Sequence, residues 1–322
     1  MQIGYKLFAE AFPPAELIRQ AVRAEAAGFD FVEVSDHYHP WLPEHGHSPA
    51  AWSVLPAIAV RTERIQLGTG VTCPFLRYHP AIVAQAAATT ACLAPGRVFL
   101  GVGTGENLNE HVVGRGWPPV AVRREMLREA VEIIRLLWSG GYRSYRGRHL
   151  TLESARVFDL PEPLPEIIVA AGGPCAATLA AEVGDGLFAV ADDAVLTAAY
   201  RGAGGSGPRY AEVPLAWAPN EDTAAASAHR LFRFGDGGWP VTVELPNPDN
   251  FAAATRHVPI EAMRASFACG PDAAVHLAMA RRFADAGFDH LALINAGPDP
   301  DGFMDFFATE LSGPLRALTT PL

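Results

Sequence analysis

Lysine is almost missing from this chain: of 25 basic residues only Lys6 is one, so every other cationic contact falls to arginine. Cysteine is scarce as well. Cys73, Cys92, Cys175 and Cys269 form no CxxC pair and no zinc spacing, which excludes a disulfide framework and reads as small, mostly buried side chains. No apolar run approaches the ~18 residues of a membrane span. The opening Met1-Gln-Ile-Gly-Tyr5 lacks the basic start of a signal peptide, so a cytoplasmic protein is expected. Positive charge is in deficit, with a formal net charge of −10, which argues against nucleic acid or an anionic membrane surface as a partner. Repeats and low-complexity segments are absent, and residues 1–322 are expected to form one domain.

What is present is a large apolar complement, 49% of residues, enough for a sizeable core at this length. Strand-like runs at Ile3–Phe8, Phe29–Val34, Ile65–Val71 and Arg97–Gly103 alternate with helical stretches at Pro14–Ala27, Pro49–Arg61 and Pro80–Leu93. A long helix from about Pro118 to Trp138 and a short ribbon at Tyr142–Leu152 follow. Strands at Ile167–Ala171, Leu187–Val190, Val213–Ala218 and Leu291–Asn295, each with a helix after it, complete eight units. This alternation predicts a (β/α)8 TIM barrel, with a doubly wound sheet as the alternative. Residues 236–259, rich in Gly, Pro and Asn without a clear period, read as an insertion or lid.

Four polar clusters fall at C-terminal strand ends, where a parallel α/β fold binds its ligands: Asp36-His37, Gly70-Val71-Thr72, Gly103-Thr104-Gly105-Glu106 with Asn109, and Gly172-Gly173. His37 suits a proton acceptor, against the plainer reading of a capping or core histidine. Glu106 is either a site carboxylate or an acid that complements a helix dipole. Gly101, Gly103 and Gly105 remove side chains where a flat ligand could lie against backbone. Gly172-Gly173 ahead of a helix offers free N–H groups for a phosphate, and Trp41 is either rim packing or a stacking wall. His37, His39, His45 and His47 could suggest a metal, but no carboxylate–histidine pair appears at later strand ends, so no metal site is expected.

At these residues the chain resembles the luciferase-like flavin and deazaflavin superfamily, and within it the F420-dependent glucose-6-phosphate dehydrogenase group. The resemblance is carried by Val34-Ser-Asp-His-Tyr-His-Pro-Trp41, Leu67-Gly-Thr-Gly-Val71, Arg77-Tyr-His-Pro80, Phe99-Leu-Gly-Val-Gly-Thr-Gly-Glu106 with Leu108-Asn-Glu110, and Ala170-Ala-Gly-Gly-Pro174. It implies a luciferase-like (β/α)8 barrel, usually a homodimer, with coenzyme F420 in the barrel mouth. Position by position it implies that Asp36 contacts the ring system and that His37 takes the proton of a substrate hydroxyl. Gly70-Val71 would be a cis peptide against the ring, Thr104 and Asn109 would hydrogen-bond the coenzyme, Glu106 would exchange a proton at the ring nitrogen, and Gly172-Gly173 would bind the phosphate. The implied reaction is hydride transfer between a carbinol and the deazaflavin. A redox-neutral epimerase of an amino sugar, or an FMN-dependent monooxygenase, would use the same parts.

The departure is in the substrate pocket. That group holds a sugar phosphate with two lysines and an arginine; here Asp193 stands near one lysine's place, Arg264 matches the arginine, and no lysine exists beyond Lys6. Glucose 6-phosphate is therefore a poor expectation. The alternative is a neutral or cationic small molecule such as an alcohol, a sugar or an amino sugar, with Trp41, Asp193 and Arg264 as substrate contacts.

Overall fold

A computed structural model describes residues 1–320 of the chain. The strands are β1 (Gln2–Leu7), β2 (Phe31–Val34), β3 (Gln66–Thr69), β4 (Val98–Val102), β5 (Arg143–Arg146), β6 (Thr151–Ala155), β7 (Glu166–Ala170), β8 (Gly186–Ala189), β9 (Arg209–Ala216), β10 (Ala268–Cys269) and β11 (His290–Asn295). Parallel pairing runs β1-β2-β3-β4-β7-β8-β9-β11 and returns to β1, closing an eight-stranded barrel. The (β/α)8 expectation holds and the doubly wound sheet does not. The ribbon expected at Tyr142–Leu152 is the antiparallel β5–β6 hairpin. β10 is a two-residue addition on the edge of β9 that no sequence period announced. Among the described residues no helix is long and apolar enough to cross a membrane.

The strands close because they interleave large and absent side chains. Phe31, Phe99, Phe188 and Tyr210 point inward and fill the barrel floor with Ile168 and Ala292. Glycines stand opposite them: a methyl on Gly4 would lie 2.2 Å from the Phe31 ring, and one on Gly68 2.5 Å from that of Phe99. Barrel interiors are packed in layers of this kind, so the floor is sealed. Two residues further along β1, β2 and β9 the next inward side chains are Lys6, Glu33 and Glu212. The sealed floor thus carries a charged layer, and above it the strand ends open into the mouth.

The helices cover the outside through apolar faces. Helix Pro14–Ala27 buries Leu17, Ala21 and Ala24 and stops at Gly28, whose φ of 94° is the left-handed cap glycine allows. Helix Val120–Trp138 buries Leu127, Val131, Ile134 and Leu137, spaced three and four residues apart.

The expected lid is more regular than its composition suggests. A 3-10 turn at Arg233–Gly237 and short helices at Trp239–Thr242, Pro248–Thr255 and Ile260–Ser266 lead into β10. Two anchors tie this strap to the mouth. Asn107 donates from its backbone N–H to Val243 O (3.0 Å) and from Nδ2 to Glu244 O (2.9 Å). Phe234 and Phe251 pack on Trp41, Phe234 nearly parallel to it at 4.6 Å.

The glycine-rich end of β4 tests the packing directly. A methyl on Gly101 would fall 1.9 Å from Thr69 O, a backbone atom that cannot give way. Gly101→Ala is expected to lower stability by about 3 kcal/mol or more, while Gly202→Ala, where a methyl meets nothing within 4 Å, should be neutral or stabilise by up to ~1 kcal/mol. Thermal melts of the two variants check both.

Candidate active site

His37 sits on the loop after β2, buried, between two carboxylates from other strand ends. On one side its Nδ1 lies 2.6 Å from Glu10 Oε1, beyond the end of β1. On the other its Nε2 lies 4.0 Å from Glu106 Oε2, beyond the end of β4. Glu10 is fully buried, and its approach to His37 is off-line for a hydrogen bond, so the link between them is chiefly electrostatic. Burial works against a charged imidazole here, but the Glu10 carboxylate, helped by Glu106, outweighs it and holds the His37 pKa above its ordinary value. Burial likewise opposes the Glu10 anion, and His37 and Lys6 overcome it, keeping that carboxyl below the usual range. The imidazole is oriented by one carboxylate and faces the other. Ser48 Oγ donates to His37 O (3.0 Å), and the Trp41 ring meets the imidazole edge-on at 4.7 Å.

Asn109 is buried and fully engaged. Its Oδ1 accepts from the N–H groups of Tyr38 (2.9 Å) and His39 (3.2 Å), and its Nδ2 donates to Glu106 Oε2 (3.3 Å). Asp36 is engaged too: Thr72 Oγ1 donates to Oδ2 (2.7 Å), Tyr78 OH donates to Oδ1 (3.3 Å), and the Arg77 guanidinium stands 3.2 Å from Oδ1. Both residues brace the protein from within. They tie the loops after β2, β3 and β4 into one rigid rim.

The groups left open are different ones. Thr104 makes no side-chain hydrogen bond among the described residues, and Glu106 Oε1 likewise has no partner there. Gly172 and Gly173 face open space: a methyl on Gly173 meets nothing within 4 Å, one on Gly172 meets only Trp239 of the strap at 3.9 Å, and neither N–H donates to a described residue. Gly70-Val71 is a cis peptide, as the resemblance implied. The glycines of β4 are not a ligand slot, however. The space at Gly103 is taken by Val71 (2.8 Å from an added methyl) and that at Gly105 by Glu110 and Cys73.

Asp193 and Arg264 take other partners. Asp193 caps helix Ala194–Gly202 by accepting from Val195 N–H, 2.9 Å away. Arg264 is held by Glu221 and Asp222. The substrate contacts expected of them are not what their hydrogen bonds make. Sequence reasoning missed Glu10, and it named Arg77 and Glu110 within motifs without giving either a role. Glu10 lies three residues past β1, in a run that reads as a lead-in to the first helix. Glu110 accepts from Arg77 N–H (2.9 Å), and burial pushes its carboxyl up to about 7 despite the nearby guanidinium.

A raised His37 pKa means the imidazole becomes a neutral base only as the pH climbs through that value. The acid limb of kcat/KM for alcohol oxidation should therefore lie above pH ~6.5. Glu10→Gln removes the charge that raises it while burial remains, so the limb should move down. A pH–rate profile of both proteins measures the shift, and an unmoved limb would assign it to another group.

These features have counterparts among known proteins. The family model described as luciferase-like monooxygenase matches residues 1–290. An F420-dependent glucose-6-phosphate dehydrogenase of Tsukamurella paurometabola is 38% identical over 342 residues, covering 99% of each chain. An F420-dependent hydroxymycolic acid dehydrogenase of Mycobacterium tuberculosis is 40% identical over 325 residues, covering 98% of this chain and 88% of the relative. Among solved structures, an F420-dependent secondary alcohol dehydrogenase in complex with an F420-acetone adduct superposes with a TM-score of 0.90 at 31% identity, over 98% of each chain. By its sequence along nearly its whole length and by its barrel, this chain belongs to the luciferase-like family.

Proposed function

We propose that the chain is a coenzyme F420-dependent oxidoreductase that interconverts a carbinol and its carbonyl, acting on a neutral small molecule. The observation that carries the chemistry is the buried Glu10–His37–Glu106 row at the barrel mouth, with the two His37 nitrogens 2.6 and 4.0 Å from the flanking carboxylates. F420 dependence is common to the sugar-phosphate, hydroxymycolate and secondary-alcohol enzymes that this chain resembles. The residues fit that coenzyme: the open N–H groups of Gly172 and Gly173 suit its phosphate, and the unpartnered hydroxyl of Thr104 is free to bond it. When bound, F420 supplies the two-electron hydride acceptor or donor.

The rest belongs to the protein. His37 Nε2 takes the proton of the substrate hydroxyl, and Glu10 stabilises the imidazolium that results. Glu106 keeps Oε1 without a partner among the described residues and is fixed through Oε2 by Asn109. Trp41, backed by Phe234 and Phe251 of the strap, excludes water from the imidazole. The substrate reading rests on charge. No second lysine exists, and Arg264 is neutralised by two carboxylates, so a phosphate dianion finds no free cation there. Asp193 caps a helix, which removes the support for an amine-bearing substrate and leaves a neutral alcohol. We further infer a single barrel domain with residues 236–259 as its lid. We also infer a homodimer, supported by helix Pro80–Leu93, which has no charged residue and exposes Ile82 and Leu93.

The test is a titration of the apoprotein with F420 and with FMN, then turnover on glucose 6-phosphate and on neutral secondary alcohols. Micromolar or tighter binding of F420 alone is expected, with kcat/KM at least ~100-fold higher for the alcohols. Preference for FMN sinks the coenzyme assignment, and preference for the phosphate sinks the substrate one. Deuterium washed into a carbinol without net coenzyme reduction would replace the dehydrogenase with an epimerase. His37→Ala and Glu106→Gln should each lower kcat by about 10²–10⁴-fold while coenzyme affinity is largely kept.

A further inference from the structure

The loops that carry His37 and Glu106 are joined by Asn109, and a residue outside the site joins them a second time. Arg77, on the loop after β3, has a side chain only 9% exposed, and its guanidinium reaches toward both loops. On the β2 side Nη2 donates to Asp36 O at 2.6 Å and stands 3.2 Å from Asp36 Oδ1. On the β4 side Nε lies 3.8 Å from Glu110 Oε1, and the backbone N–H of Arg77 donates to Glu110 Oε2 at 2.9 Å. Nη1 donates to Tyr78 OH at 3.2 Å, whose hydroxyl donates in turn to Asp36.

What is gripped matters more than how firmly. Asp36 O belongs to the peptide that leads into His37, so its orientation sets the point from which the imidazole springs. Glu110 ends the short helix Asn107–Glu110, and its own N–H donates to Glu106 O at 3.1 Å. One guanidinium thus reaches both the residue before the imidazole and the turn that carries the carboxylate.

Stability is a poor reason for the cluster. Asp36 and Glu110 are each 2% exposed, and one cation faces two acids, so burial pushes the Glu110 carboxyl up to about 7 despite the guanidinium. Buried ion clusters of that kind often stabilise less than apolar side chains of similar volume. Shape supplies the better reason. The donors of arginine are fixed in one rigid plane, so holding Asp36 O at one of them settles where the others point, whereas a lysine ammonium is a single point on a flexible stem.

We propose that Arg77 is a positioning residue, whose planar guanidinium holds Asp36 O and the end of helix Asn107–Glu110 at once and so fixes the separation of His37 from Glu106. The proton chemistry assigned to that pair rests on the function proposed above; the separation is a property of the protein alone. Arg77 itself touches neither reacting group, and its contacts are with the residues beside them.

The experiment compares wild type with Arg77→Lys, which keeps a cation beside the two acids, and with Arg77→Gln if the lysine variant fails to melt cooperatively. In crystals of the apoprotein the His37 Nε2 to Glu106 Oε2 separation, 4.0 Å in wild type, is expected to lengthen by about 0.5 Å or more in the variant. Turnover of a secondary alcohol should then fall about 10-fold or more in kcat, with KM and the dissociation constant for F420 within about threefold of wild type. A residue that only neutralises charge or stabilises the loop would lower the melting temperature and leave the separation unmoved in Arg77→Lys. An unchanged separation in a folded variant, or a loss carried by KM or coenzyme affinity instead of kcat, overturns the proposal. Wild type that oxidises no alcohol overturns the proposed function, and the separation then decides this inference by itself.

Discussion

An imidazole shut away from water between two carboxylates is the constraint on which this molecule turns. His37 cannot carry charge in that place without Glu10, and Glu10 cannot remain an anion at zero exposure without His37 and Lys6. The pair is therefore mutually enforced. Each partner comes from a different strand end, so the pair exists only when β1 and β2 are in register, and the barrel closure that sets this register is set in turn by aromatic rings fitting over glycines in the floor. Packing at the bottom of the barrel and protonation at its top are linked through the layer that carries Lys6.

The rim shows the same economy of parts. Asn109 and Asp36 have the residue types of ligand contacts, and each is also bonded to several neighbours. Asn109 holds Glu106 and the loop of His37 at once, which keeps the carboxylate and the imidazole at a set separation. The groups that remain open among the described residues, the Thr104 hydroxyl, one oxygen of Glu106 and the N–H groups of Gly172 and Gly173, lie on two segments, the loops after β4 and β7.

Much of this was legible in the sequence, and the part that was not is instructive. Eight alternations of apolar strand and amphipathic helix specify the barrel, because each period reflects burial that the fold then realises. Strand ends could be located from the turn residues after them, which placed His37, Glu106 and Gly172-Gly173 at the mouth. Direction was invisible. Gly101 and Gly103 read as room for a ligand, whereas Thr69 O and Val71 occupy that room, and only coordinates distinguish a space left for a guest from one filled by the next strand. Glu10 was lost because Phe8-Ala-Glu-Ala carries no turn signal, although it ends a strand as surely as Asp36 does. The strap was read as irregular because its helices are each eight residues or shorter, too brief to display a period.

The clasp between Asn107 and the strap has a consequence for which residues of the strap are free to vary. Glu10, His37 and Glu106 come from the ends of β1, β2 and β4, while the strap beside them is one continuous insertion near position 240 that touches the rim through main-chain carbonyls and an aromatic stack. Main-chain carbonyls are indifferent to the side chains beside them. The side chains beside Val243 and Glu244 can therefore change without loosening that clasp, whereas Phe234 and Phe251, which pack on Trp41, cannot.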